Sequence, residues 1–117
     1  MVKLVYCVRR RSGMTLEEFQ DRWLNVHGPL VRSLREQIPS MTRYVQSHLV
    51  PGEPSEAVRA ARGAGEPYDG ITEVWLDTDT EGAEGAAEAG RRLFEDELEF
   101  IDMENSKVFL TVEHEIF

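Results

Sequence analysis

The sequence predicts an α+β domain with elements in the order β-α-β-β-α-β. Three observations lead there. Four stretches alternate apolar and polar residues with period two, and two longer ones repeat apolar residues at helical spacing. No linker, repeat or low-complexity tract divides them. At 117 residues the chain fits one domain, 1–117, large enough for a real core but too short for two.

Residues 2–9 read as the first strand, with Val2, Leu4, Tyr6 and Val8 opposite Lys3, Val5, Cys7 and Arg9. Ser12-Gly13 turns the chain. Thr15, followed three residues later by Glu18, is a capping-box pattern that starts a helix near residue 16. Its apolar stripe is Leu16, Phe19, Trp23, Val26, Leu30, Leu34 and Ile38, roughly a third of the helix circumference. Pro29 lacks a backbone donor and crowds the preceding turn, which predicts a kink at 28–29; the helix ends before Pro39. A second strand spans about 42–50, with Tyr44, Gln46 and His48 on one side and Arg43, Val45 and Ser47 on the other. Prolines and glycines make 51–69 the least regular segment, with a short helix expected over Ser55 to Arg62. Gly70 to Asp77 is a third strand.

Asp79 or Thr80 is the expected cap of a second helix running to about residue 101. Its inward stripe is Ala83, Ala86, Ala87, Gly90, Leu93, Phe94, Leu98 and Ile101. Ser106 to Phe117 closes as a fourth strand. This order is the split βαβ pattern of a ferredoxin-like domain: a four-stranded antiparallel sheet with two helices on one face. The other face would carry Val5, Trp75 or Val74, Phe109 and Phe117, too apolar to stay bare. A second copy of the chain, in a twofold homodimer, is the expected cover.

Composition excludes several roles. A net charge of −9 argues against nucleic acid or an anionic membrane as partner. Cys7 is the single cysteine, so no internal disulfide forms and a multi-thiolate metal site is excluded; it reads as an inert core thiol. The start of the chain has too short an apolar run for a signal peptide, and no stretch suffices to span a bilayer, so a cytoplasmic location is expected. Neither Gly63/Gly65 nor Gly82/Gly85 matches a phosphate or dinucleotide fingerprint.

One imidazole stands out. His27 falls near the centre of the oily stripe of the first helix, one turn from Trp23 and directly before Gly28-Pro29. It is either a core histidine satisfied by its surroundings or a base whose pKa burial lowers. Glu97 is the second oddity, a carboxylate within the apolar stripe of the second helix, with Asp96 about 100° away. Glu97 either meets His27 as an acid/base pair or bonds Arg43 or a backbone amide. A slip of the wheel near the helix end would bring in Asp96 instead. Tyr44 and His48, with Gln46 between them, either line a pocket or form hydrogen bonds along a dimer seam. His27, His48 and His114 have no ligand spacing that supports a metal site.

The chain resembles EthD-domain proteins of the dimeric α+β barrel superfamily. The likeness rests on Phe19-x-x-x-Trp23-x-x-x-His27-Gly28-Pro29-Leu30, on Asp69 to Leu76, and on Asp96-Glu97-x-x-Phe100-Ile101-Asp102 with Ser106 and Thr111 to Glu115. It is weakest over 51–66. Proteins of this type are similar to an accessory component of ether-degrading monooxygenase systems. Relatives resemble small cofactor-free lactone isomerases and dehydratases, decarboxylases or cyclases of aromatic polyketides; more distant ones oxygenate quinols or bind haem. The resemblance implies an apolar pocket between helices and sheet. The expectation is a cofactor-independent enzyme acting on a hydrophobic, oxygenated ring compound. His27 would be the base, Glu97 or Asp96 would orient it or return the proton, and Trp23, Tyr44 and His48 would bind substrate. A monooxygenase-linked accessory and a haem- or small-molecule-binding module are the alternatives.

Overall fold

The four strands form one antiparallel sheet in the order β2-β3-β1-β4: β1 (Val2–Val8), β2 (Met41–His48), β3 (Gly70–Leu76) and β4 (Lys107–Thr111). The coordinates are a computed structural model that describes residues 1–80 and 82–117. Register sorts the side chains. Tyr6 lies opposite both Thr72 and Val108, Leu4 opposite Val74, Tyr44 opposite Val74, and Gln46 opposite Thr72. These residues therefore share the face beneath the helices, and Lys3, Val5, Glu73, Trp75, Arg43 and Phe109 share the other. Of the two residues expected on the outer face, Trp75 lies there. Val74 is buried on the helix side.

The first helix begins as its capping box requires. The Thr15 side chain accepts from Glu18 N–H and the Glu18 carboxylate accepts from Thr15 N–H. α1 (Leu16–Arg22) then passes into a π-helical turn over Trp23–His27, α2 (Gly28–Ser33) and a 3₁₀ turn over Arg35–Gln37. The expected kink at 28–29 is thus a π-turn placed just before the proline. Buried Phe19, Trp23, His27 and Val31 are spaced four apart, which on a regular helix drifts by about 40° per step. The π-turn takes up one extra residue, so Phe19 to Val31 counts as eleven helical steps, and the total drift over that span falls from about 120° to roughly 20°. Val26, expected inside, is turned out.

The connection after β2 holds α3 (Glu53–Ala61), close to the expected short helix. The second long helix departs more. It is α4 (Ala86–Glu97), not 80–101, and the expected part at Glu81 lies outside the described residues. Asp77 accepts from Asp79 N–H and the Thr80 hydroxyl, a local turn that competes with helix initiation. Gly85, in the left-handed region at φ 89°, precedes the helix instead. The inward stripe shifts by one place as well. Ala89 and Phe100 are buried and Asp96 and Glu97 half-buried, whereas Phe94 and Leu98 are about half exposed.

β4 ends at Thr111, not Phe117, because its partner β1 runs out: Thr111 pairs with Lys3, one residue from the start of β1. The buried cluster joins Val8, Phe19, Trp23, Phe100 and Ile101 between helices and sheet. One backbone position makes this packing feasible. A Cβ on Gly70 would lie 2.6 Å from the Ser47 carbonyl oxygen and closer still to the Trp23 ring.

Candidate active site

Trp23, His27 and Val31 reach the sheet from successive turns of the first helix, and α4 brings Asp96 and Glu97 against them. The Trp23 carbonyl accepts from Gly28 N–H across the π-turn and, at 2.9 Å, from the Gln46 side-chain amide on β2. Gln46 also donates to the Tyr44 hydroxyl and pairs with His48 Nε2 at 2.8 Å. The π-turn is therefore held by the strand below it. His48 stacks on the indole of Trp23, centroids 4.4 Å apart and planes at 10°.

His27 is nearly fully buried, with its ring 5.2 Å from that of Phe100. Nδ1 lies 2.8 Å from an Asp96 carboxylate oxygen, and the other Asp96 oxygen accepts from Arg22. Burial pushes Asp96 up, but bonds from His27 and Arg22 outweigh it and hold the carboxyl below its ordinary range. An ionised Asp96 only accepts, so Nδ1 carries the proton and Nε2 keeps its lone pair. Burial is the largest influence on His27 and lowers its pKa, with the Asp96 contacts opposing and Arg22 adding to the fall. The imidazole is neutral at physiological pH.

Nε2 has no hydrogen-bond partner within the described residues; Glu97 stands 3.8 Å away. Glu97 pairs with neither Arg43 nor a backbone amide in that set. Burial, then the neighbouring Asp96 charge, push its pKa up to about 7. Two adjacent carboxylates thus differ in character: Asp96 is ionised, and Glu97 titrates near neutrality, poised to give or take a proton.

His27 and Glu97 line a cavity of about 650 Å³ between helices and sheet. Trp23, Tyr44, Tyr6 and Thr72 contribute walls, and Leu93, Phe94, Leu98 and Ile101 make the α4 side apolar. Burial pushes the Tyr6 and Tyr44 phenols up, so both remain hydrogen-bond donors near neutral pH. His48 does not line the cavity; it lies against the indole and holds Gln46. Sequence reasoning overlooked Arg22, which anchors Asp96, and Tyr6, whose place on the inward face of the first strand was the available signal. Among the described residues, no three His, Cys, Asp or Glu side chains cluster as a metal site. No described helix is long and apolar enough to cross a membrane.

The model for the EthD domain matches residues 11–104. Among solved structures, the fold is similar to an ethyl tert-butyl ether d (EthD) family protein of Bacillus halodurans, with 21% identity and a TM-score of 0.64 over 97% of this chain and 99% of that one. It is also similar to a protein of Arabidopsis thaliana at 16% identity and a TM-score of 0.60, covering 100% of this chain and 99% of that one. A solution structure of the same Arabidopsis thaliana protein gives 16% identity and a TM-score of 0.56, covering 99% of this chain and 90% of that one. At these identities the likeness speaks for fold alone. No curated protein matches the sequence.

Proposed function

The chain belongs to the EthD domain family, and on that footing we propose that it is a cofactor-independent acid–base enzyme acting on a hydrophobic, oxygenated ring compound. The observation that carries this reading is His27: a neutral, buried imidazole bound through Nδ1 to an anchored carboxylate, with Nε2 unbonded beside a largely apolar cavity. Nε2 accepts a proton from carbon next to a ring carbonyl. Asp96 stabilises the imidazolium that forms, and Arg22 keeps Asp96 in place. Protonated Glu97 supplies a proton to the far carbon of the resulting dienolate, so the substrate is isomerised with no net change in protons. His27 then returns its proton to Glu97. Dehydration, decarboxylation or cyclisation would begin with the same abstraction. Trp23 and Tyr44 hold the ring so that one proton transfer and correct placement supply the rate enhancement.

The second part of the proposal is a homodimer. The sheet face away from the helices exposes Phe109 and Ile71, and the residues after β4 expose Val112, Ile116 and Phe117. A twofold copy laid sheet to sheet would cover both.

The test uses two carbon acids, 2-tetralone and α-angelica lactone, in deuterated buffer. Wild-type protein is expected to speed deuterium incorporation next to the carbonyl, measured by NMR. His27→Gln loses the acceleration with its melting temperature unchanged. Glu97→Gln retains exchange but slows double-bond migration. Exchange that is absent for both compounds, or undiminished in His27→Gln, refutes the reading.

A further inference from the structure

A second concavity, of about 900 Å³, runs along the outside of α2 against β2. It adjoins the chamber beside His27: Val31, Met41 and Tyr44 form walls of both spaces. Its chemistry differs sharply. Arg32, Arg35 and Arg43 line it, and none of its lining residues is acidic, although the chain has 22 Asp and Glu against 13 Lys and Arg. Arg10, Arg22, Arg59 and Arg91 all pair with carboxylates. Among the described residues, Arg32, Arg35 and Arg43 form no such pair, and neither do Arg9, Arg11, Arg62 and Arg92, but only the first three line one concavity.

Arg32 stands in the last turn of α2 and Arg35 opens the 3₁₀ turn that follows, and both line the groove. Arg43 borders the groove from the edge strand but turns its guanidinium over the Trp75 ring on the outer face, 4.5 Å from the centroid, so the anion contacts fall to Arg32 and Arg35. Polar neighbours complete the lining: Thr42, Gln46 and the Tyr44 hydroxyl edge. Arg32 and Arg35, exposed on the helix side of the groove, offer guanidinium groups of the kind that pair with the two oxygens of a carboxylate.

We infer that this groove takes the carboxylate of an anionic substrate whose ring fills the adjoining chamber. The inference rests on the proposed function for the chamber and narrows the substrate class to a hydrophobic ring bearing an acidic side chain. The sign of the whole molecule sharpens it. At a net charge of −9 the overall field repels anions, so any preference for one must come from a local patch.

The experiment compares 6-phenylhexanoate with its uncharged amide, 6-phenylhexanamide, by calorimetry. At low salt the acid is expected to bind roughly three- to tenfold tighter than the amide. That advantage should disappear at high ionic strength and in Arg32→Gln/Arg35→Gln, whose amide affinity stays at the wild-type level because both side chains are exposed. Equal binding of acid and amide by wild type overturns the inference and leaves the chamber reading standing. An acid preference that survives in the double variant also overturns it, since the anion then sits elsewhere. Failure of both compounds to bind defeats the chamber reading, and the inference with it.

Discussion

At His27 the chemistry is set by two carboxylates of unequal character. Asp96 stays ionised because Arg22 and His27 both donate to it, and Glu97 is pushed up to about 7 by burial and the Asp96 charge. Asp96 raises the His27 pKa against the lowering effect of burial, so Asp96→Asn should lower it further. Imidazole proton shifts followed by NMR would show the direction; a pKa that rises in the variant contradicts the assignment. Glu97 gives a stability signature. Its pKa is raised in the fold from an ordinary 4.5, so its contribution is full below about pH 4.5 and is lost as pH climbs through 7. His27, lowered in the fold, acts in the opposite direction and weakens the fold below about 6.5. Glu97→Gln should therefore gain about 1–3 kcal/mol over wild type at pH 8 relative to pH 5. Denaturant melts at both pH values measure it, and parallel pH slopes would exclude a raised Glu97.

Among the elements, the first helix owes its useful shape to a mismatch. Side chains four apart cannot stay on one face of a regular helix, and the π-turn restores them. A wider turn leaves its carbonyls poorly placed; the Trp23 oxygen is served by Gln46 from the sheet. The missing N–H of Pro29 is no loss beside a turn that already breaks the regular ladder. The pattern of apolar residues placed His27 inside, but a turn stabilised by a strand distant in sequence leaves no local trace. The same holds for Gly70, which reads only as the edge of a strand until the Trp23 ring is seen against it. Gly70→Ala should cost about 1–3 kcal/mol by overpacking and shift the Trp23 fluorescence. An alanine variant with unchanged stability and spectrum would mean the indole does not rest there.

For the whole molecule, the outer sheet face is the unfinished part. Lys3 and Arg43 lie over the Trp75 ring, whose indole N–H donates to Glu113, yet Phe109 beside them remains 49% exposed. A face mixing cations, an aromatic ring and bare phenylalanine suits an interface better than water. Light scattering should return about twice the 13.4 kDa of one chain. Phe109→Glu should yield a folded monomer, because its side chain faces away from the buried cluster. A monomeric wild type at micromolar concentration would remove the dimer from the proposal.

The sequence by itself determined the order of elements, the alternation along the first two strands and the inward position of His27, since these follow from periods of two and 3.6 residues that neighbours along the chain already express. Only the tertiary structure decided which carboxylate His27 engages. Asp96 and Glu97 are adjacent near a helix end, where a phase error of one residue exchanges them. What separates them is a through-space fact, the approach of Arg22 and His27 from another helix, and periodicity along one segment carries no record of that.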